Sequence, residues 1–232
     1  MRMTWEQLTM LHWRYPAPAV QALLPSGVTV ETYDGSAWVG LIPFQMRVRL
    51  PVGPEMARIL HFPETNVRTY VTAPDGRPGV WFFSLEASSL PAVVTARSTY
   101  GLPYFWSDMT LEQTDDRVRY VTFRRRWPKP AGASSVVDIE IGAEIATDEL
   151  SDLDHFLTGR WALFGKFGPR LSYGKMNHEP WPLHRVDVLE WRDELVAAGG
   201  LAAPTGAPVA HYSPGVTVRC GWPQIAGPAN LK

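Results

Sequence analysis

One cysteine, Cys220, is all that this 232-residue chain holds, which excludes an internal disulfide and any cysteine-based metal cluster. That usage fits a reducing compartment, and a cytoplasmic location is expected. Lysine is nearly as scarce, occurring only at positions 129, 166, 175 and 232. There is no charge excess either: 22 basic and 23 acidic side chains leave a formal charge of -1, so no global field draws in nucleic acid or an anionic membrane. Long apolar runs are missing too. Arg2, Glu6, His12 and Arg14 interrupt the first residues, which argues against a signal peptide. The long uncharged stretch Val196 to Val218 is broken by Gly and Pro and does not read as a membrane span. No Gly-x-Gly-x-x-Gly, phosphate-loop pattern, repeat or linker occurs.

What is present is apolar and aromatic bulk, 45% hydrophobic and 12% aromatic, enough for a sizeable core in one β-rich barrel or sandwich. Residues 4 to 24 read as two short helical pieces broken at Pro16 and Pro18. Strands are expected at Val28 to Tyr33 and Ala37 to Ile42, joined at Asp34-Gly35. Pro43 then argues for an edge or a bend, and Pro54 to Leu60 for no more than a turn of helix. Further on, a hairpin about Asp115-Asp116 joins Trp106 to Gln113 with Arg117 to Arg126. Val136 to Ile145 alternates cleanly as a strand, and a helix is expected from Leu150 to Leu157, capped by Thr147 or Asp148. Strands return at Arg170 to His178 and Leu183 to Trp191, before a Gly/Pro-rich segment from about 199 with one short strand. The whole, residues 1 to 232, reads as a single domain.

The densest stretch runs from Phe62 to Trp106. Val67, Thr69 and Val71 alternate with Asn66, Arg68 and Tyr70, and Trp81, Phe83 and Leu85 with Phe82, Ser84 and Glu86, which marks two strands. The Pro74 to Gly79 turn closes them into a hairpin. A short helix follows, capped by Ser88 or Ser89 and ended at Gly101 and Pro103. If Glu64 faces an interior, alternation carries Asn66, Arg68 and Tyr70 to the same side; otherwise that face is wet and Val67, Thr69 and Val71 pack inward.

FPETNVRTYV, GVWFFSLEASSLPAVVTAR, YGLPYF and the later HEPWPLH resemble the YqjF-like DUF2071 family, related to acetoacetate decarboxylase, over about Trp5 to Trp191. The resemblance implies a mainly β fold, an antiparallel barrel or cone with a few short helices and an interior pocket. Decarboxylases of that superfamily carry a glutamate and, some way on, Gly-x-Pro-Lys-Lys, whose first lysine forms an imine with substrate. Glu64 falls at the matching distance. Gly101-Leu102-Pro103 is followed here by Tyr104 and Phe105, so the nucleophile and its neighbour are absent.

Glu64 and Tyr104 are therefore separate candidate catalytic residues, the first as an acid/base carboxyl, the second as a hydroxyl donor to a ligand carbonyl or a weak acid. Arg68, Glu86 and Arg97 are candidate substrate-binding groups, a guanidinium being suited to two parallel bonds with a carboxylate. Each has a structural alternative: Glu86 as a backbone cap, Arg97 as a charge on a helix C-terminus, Tyr104 as core. His178-Glu179 with His184 lacks the spacing of a zinc site, and Pro180 and Pro182 forbid the helix it needs, so neither metal nor cofactor is expected. The run from Arg124 to Lys129 reads as a solvated face, not a nucleic-acid surface. Two functions remain open. One is a pocket acting on a small oxo-acid or carbonyl compound by acid/base chemistry without an imine; the other is a non-catalytic binding or interaction module. The expected partner is a small carboxylic or oxo-acid, with no nucleic acid and no membrane.

Overall fold

The computed structural model describes residues 2–49, 59–125 and 128–226. Most of Pro54 to Leu60 and two residues of the basic run, Arg126 and Trp127, lie outside them. The chain folds mainly as strand: β1 (Arg2–Tyr15), β2 (Thr29–Val30), β3 (Ala37–Arg49), β4 (Ile59–Thr72), β5 (Pro78–Ala87), β6 (Tyr104–Thr114) and β7 (Arg117–Arg124) come first. They are followed by β8 (Ser134–Glu144), β9 (Ala162–Phe167), β10 (Arg170–Asn177), β11 (His184–Asp193), β12 (Val209–Cys220) and β13 (Gln224–Ala226). Four short helices punctuate them: α1 (Ala17–Gln21), α2 (Leu90–Tyr100), α3 (Asp152–Thr158) and α4 (Leu195–Ala198). Pairing is antiparallel except where β5 meets β6 and β9, and α2 is the crossover that the parallel β5–β6 pair requires.

All thirteen strands belong to one sheet, and it closes on itself twice. Pairing of β5 with β4 closes one ring through β6, β7, β8 and β11; pairing of β10 with β12 closes a second through β9. The two rings share a wall of five strands, β12-β1-β3-β4-β5, and each ring encloses its own core. Alternation along the wall explains its composition. On β3, Trp38, Ile42, Phe44 and Met46 pack into the β9–β10 ring, whereas Ala37, Val39 and Leu41 pack into the other. A strand buried on both faces needs apolar residues at both parities, which is why this segment reads as a continuous hydrophobic run.

The expected N-terminal helices are replaced by a single 14-residue strand, followed by the short α1. Gln7, at φ 49°, is an extra residue that swaps the faces of β1: Met3 and Trp5 precede it on the side where Leu8 and Met10 follow it. The bulge turns a period of two into an apparent helical spacing of three, Trp5 to Leu8. Pro43 is not at an edge. It lies within β3 where the β1 register shifts and no β1 partner is in place, so its missing N–H costs no ladder bond on that side. The predicted 28–33 strand shrinks to the two-residue β2, and α3 is capped by Ser151, not by Thr147 or Asp148, which lie in a 3-10 turn. The short C-terminal strand is in fact the 12-residue β12, the end strand of the shared wall at which the two rings part; Gly215, at φ 130°, lets it pass within contact of Trp5 opposite the bulge.

Candidate functional site

The β9–β10 ring encloses a cavity of about 120 Å³. Its walls are mostly apolar, and three successive inward positions of β4 place Glu64, Asn66 and Arg68 along them. The opposite face of β4, with Val67 and Thr69, is also buried, because it lines the other ring. Both faces being dry, the alternation is one of chemistry, not of exposure.

Glu64 is 2% exposed, and the Tyr104 hydroxyl donates to its Oε2 at 2.9 Å. Burial pushes the Glu64 carboxyl up to about 8; the bond from Tyr104 pulls the other way and the Glu86 carboxylate adds a small upward push. Tyr104 in turn is raised well above the ordinary phenol, by burial and by the adjacent Glu64. At neutral pH the cavity therefore holds a carboxylic acid that keeps its proton and a tyrosine that keeps its own. Tyr104 is placed by the turn after α2: Ser89 caps the helix, Gly101 ends it at φ 66°, and Arg97 Nη1 donates to the Tyr104 carbonyl at 2.7 Å. Arg97 thus holds the backbone of Tyr104 and is not among the residues lining the cavity.

Glu86 is also elsewhere. It projects into the second ring, where Arg124 Nε donates to its Oε1 at 3.0 Å and Nη2 at 2.5 Å, with Ser84 donating to Oε2 at 3.2 Å. Arg124 stacks over Phe105 with its carbon 3.8 Å from the ring centre. Burial raises the Glu86 pKa, and Arg124 opposes that shift. A completely buried pair with this many bonds serves as an internal brace. Sequence reading placed Glu86 at a cap or on a ligand, because nothing local ties it to a residue thirty-eight positions away.

Arg68 does line the cavity, at the end that α3 closes. Its Nη2 is 3.5 Å from the Leu157 carbonyl, and its carbon lies 5.8 Å from the Tyr70 ring. Tyr70 donates its one hydroxyl proton to the Leu157 carbonyl at 2.6 Å and so accepts from His12 Nε2 at 2.7 Å. Burial lowers the His12 pKa well below the ordinary imidazole, with Arg68 adding to it. Arg160, which the sequence did not single out, and His178, weighed there only as a metal ligand, also line the cavity. Arg160, just past α3, stands 5.2 Å from the same Tyr70 ring and pairs with Glu31 at 2.5 Å. His178 lines the cavity beside Trp181 and Trp5, and burial lowers its pKa. Asn66 was visible only as a neighbour in the alternation, and Arg160 carries no local motif at all.

Among the described residues that line the cavity, four buried polar atoms have no hydrogen-bond partner: Trp5 Nε1, Asn66 Oδ1, Arg68 Nε and Arg160 Nε. Buried polar groups are nearly always satisfied, so this set leaves unused hydrogen-bonding capacity on one cavity. Among the described residues no lysine lines the cavity, Lys166 and Lys175 being exposed, and no group of His, Cys, Asp and Glu stands together as a metal site. Among them, too, no helix is long and apolar enough to cross a membrane.

Comparison with known proteins agrees with this architecture. The family model DUF2071, described as an uncharacterized conserved protein, matches residues 2–217. The uncharacterized protein YqjF of Bacillus subtilis (strain 168) is 34% identical over 214 residues, 92% of this chain and 87% of that protein. Among solved structures, the enduracididine biosynthesis enzyme MppR complexed with pyruvate superposes with a TM-score of 0.68 at 12% identity, covering 97% of this chain and 89% of that one. An acetoacetate decarboxylase-like enzyme from Sphingomonas wittichii RW1 gives 0.64 at 14% identity, covering 97% and 92%. At such identities these two share the fold.

Proposed function

The chain belongs to the DUF2071 family, and on that premise we propose that its cavity binds a small carbonyl compound, oxo-acids among them, and exchanges protons with it through Glu64 without forming an imine. The observation that carries this reading is the bond from the Tyr104 hydroxyl to Glu64 inside an apolar cavity whose described wall has no lysine. A carboxyl held near pKa 8 is suited to both directions of proton transfer near neutrality. In its ionised form Glu64 takes a proton from the carbon next to the carbonyl, becoming the neutral acid. The enolate oxygen then accepts a hydrogen bond from Tyr104, and the proton returns to carbon as the carbonyl re-forms. The similarity of fold to MppR, whose complex contains pyruvate, is a further support for a carbonyl-containing ligand.

Proton NMR of a methyl ketone in D₂O tests the proposal directly. Wild-type protein is expected to speed deuterium uptake at the carbon next to the carbonyl, Glu64→Gln to abolish that acceleration, and Tyr104→Phe to move its pH profile upward by removing the bond that holds the Glu64 pKa down. Binding of the ketone with no exchange would overturn the catalytic reading in favour of a ligand-binding module. Unchanged exchange in Glu64→Gln would remove Glu64 from the chemistry.

A further inference from the structure

The cavity has two polar ends, and they are far apart. Glu64 and Arg68 are four residues apart on one strand, so their Cα atoms stand about 13 Å from each other. Their side chains do not converge. Glu64 is held by Tyr104 at one end, whereas the Arg68 guanidinium leans on past its own position toward the Tyr70 ring and the Leu157 carbonyl. Between them the neighbouring strands supply only hydrocarbon: Phe44 beside Glu64, Ile42 and Leu85 beside Asn66, Phe82 beside Arg68.

The charges at the far end do not cancel. Arg160 is matched by Glu31 at 2.5 Å, but among the described residues no carboxylate stands within ion-pair distance of Arg68, and its buried Nε has no acceptor. One uncompensated guanidinium at the end of an apolar cavity calls for one anionic group, and the planar fork suits a carboxylate best. A 2-oxo acid, whose carbonyl and carboxylate are on adjacent carbons, reaches one end or the other and leaves the second polar end empty.

Resting on the acid/base reading of Glu64, we propose that the ligand is a monocarboxylate with its anionic end on Arg68, its carbonyl at Glu64 and Tyr104, and a hydrocarbon spacer of several carbons between them. Both side chains leave the same face of β4, and taking the ~13 Å Cα spacing as that of their end groups, hydrogen-bond lengths at both ends leave about 7 Å for the ligand itself. Asn66 Oδ1, unpartnered midway, favours ligands bearing a hydrogen-bond donor on the spacer.

Calorimetric titration at neutral pH with pyruvate, 4-oxopentanoate, 7-oxooctanoate and the uncharged octan-2-one tests the spacing and the anchor separately. Affinity is expected to climb from pyruvate to 7-oxooctanoate by about tenfold or more, since only the longer acid gains the charge-assisted bonds along with apolar contact. Arg68→Met is expected to lose that gain for 7-oxooctanoate while keeping octan-2-one binding, and Arg68→Lys, which retains the charge, to recover part of it. Pyruvate binding as tightly as 7-oxooctanoate would overturn the spacing. Equal affinity of wild type and both Arg68 variants for the long acid would overturn the anchor. Binding of octan-2-one with no binding of any acid would overturn the ligand class yet leave Glu64 exchange chemistry standing; that chemistry fails if the ketone shows no exchange or if Glu64→Gln exchanges it unchanged. The chain-length series in wild type decides the spacing even if an Arg68 variant does not fold.

Discussion

At the scale of the residue, two buried glutamates stand nearly back to back on the shared wall and are treated in opposite ways. Glu86 is given a guanidinium; Glu64 is given a phenol and otherwise hydrocarbon. The consequence for Glu64 is a pH dependence of known sign. Its folded pKa of about 8 exceeds its unfolded value, so the folded chain binds the extra proton between roughly pH 4.5 and 8. The stability this contributes is complete below the unfolded pKa and is lost as the pH rises through 8, a difference on the order of 5 kcal/mol. Glu64→Gln cannot ionise, so its stability relative to wild type is expected to improve by several kcal/mol between pH 5 and pH 9 in urea denaturation. A constant difference across that range would mean that Glu64 ionises normally and is not the acid described here.

At the scale of the element, the turn after α2 sets the geometry of the Tyr104–Glu64 contact. Gly101 sits at φ 66°, and a Cβ there would lie 2.5 Å from the Lys166 carbonyl on β9, a backbone atom with little room to give. Gly76, in the β4–β5 hairpin, has a similar φ of 81° but open space around it. Gly76→Ala is therefore expected to cost about 1 kcal/mol from backbone strain alone, and Gly101→Ala at least about twice that. Thermal unfolding of the two variants compares them; equal losses would show that β9 yields. Because Arg97 reaches from α2 to the Tyr104 carbonyl, Gly101→Ala is also the variant that disturbs the Tyr104–Glu64 bond without touching either residue.

At the scale of the whole molecule, the five-strand wall makes the two rings one structure. Every wall strand carries residues of both cores, so neither ring can open without exposing the back of the other. Leu157→Ala, in the cavity ring, and Ile139→Ala, in the second, are each expected to cost about 2 to 5 kcal/mol. Both are expected to shift a single transition, with fluorescence and far-UV circular dichroism coincident. A two-step curve in which each substitution moves only its own step would show that the rings unfold separately.

The sequence by itself determined the β-rich class, the 62–87 hairpin with its turn, the helix stopped at Gly101, and the presence of Glu64, Asn66, Arg68 and Tyr70 on one face of a strand. Those follow from local rules: alternation, turn residues and caps act over a few positions. The DUF2071 resemblance added Glu64 and Tyr104 as separate candidates; that they touch is a matter of the fold. What only the tertiary structure decided is everything that depends on a strand having two buried faces. The wall strands lose the polar/apolar contrast that period-two reading needs, and β1, with its bulge, imitates a helix. Which side of the wall a polar residue takes sends Glu64 to the cavity and Glu86 to the Arg124 brace, though the two look alike in sequence. The partners that fix each, Tyr104 at forty residues and Arg124 at thirty-eight, meet them only through ring closure, which no local pattern encodes.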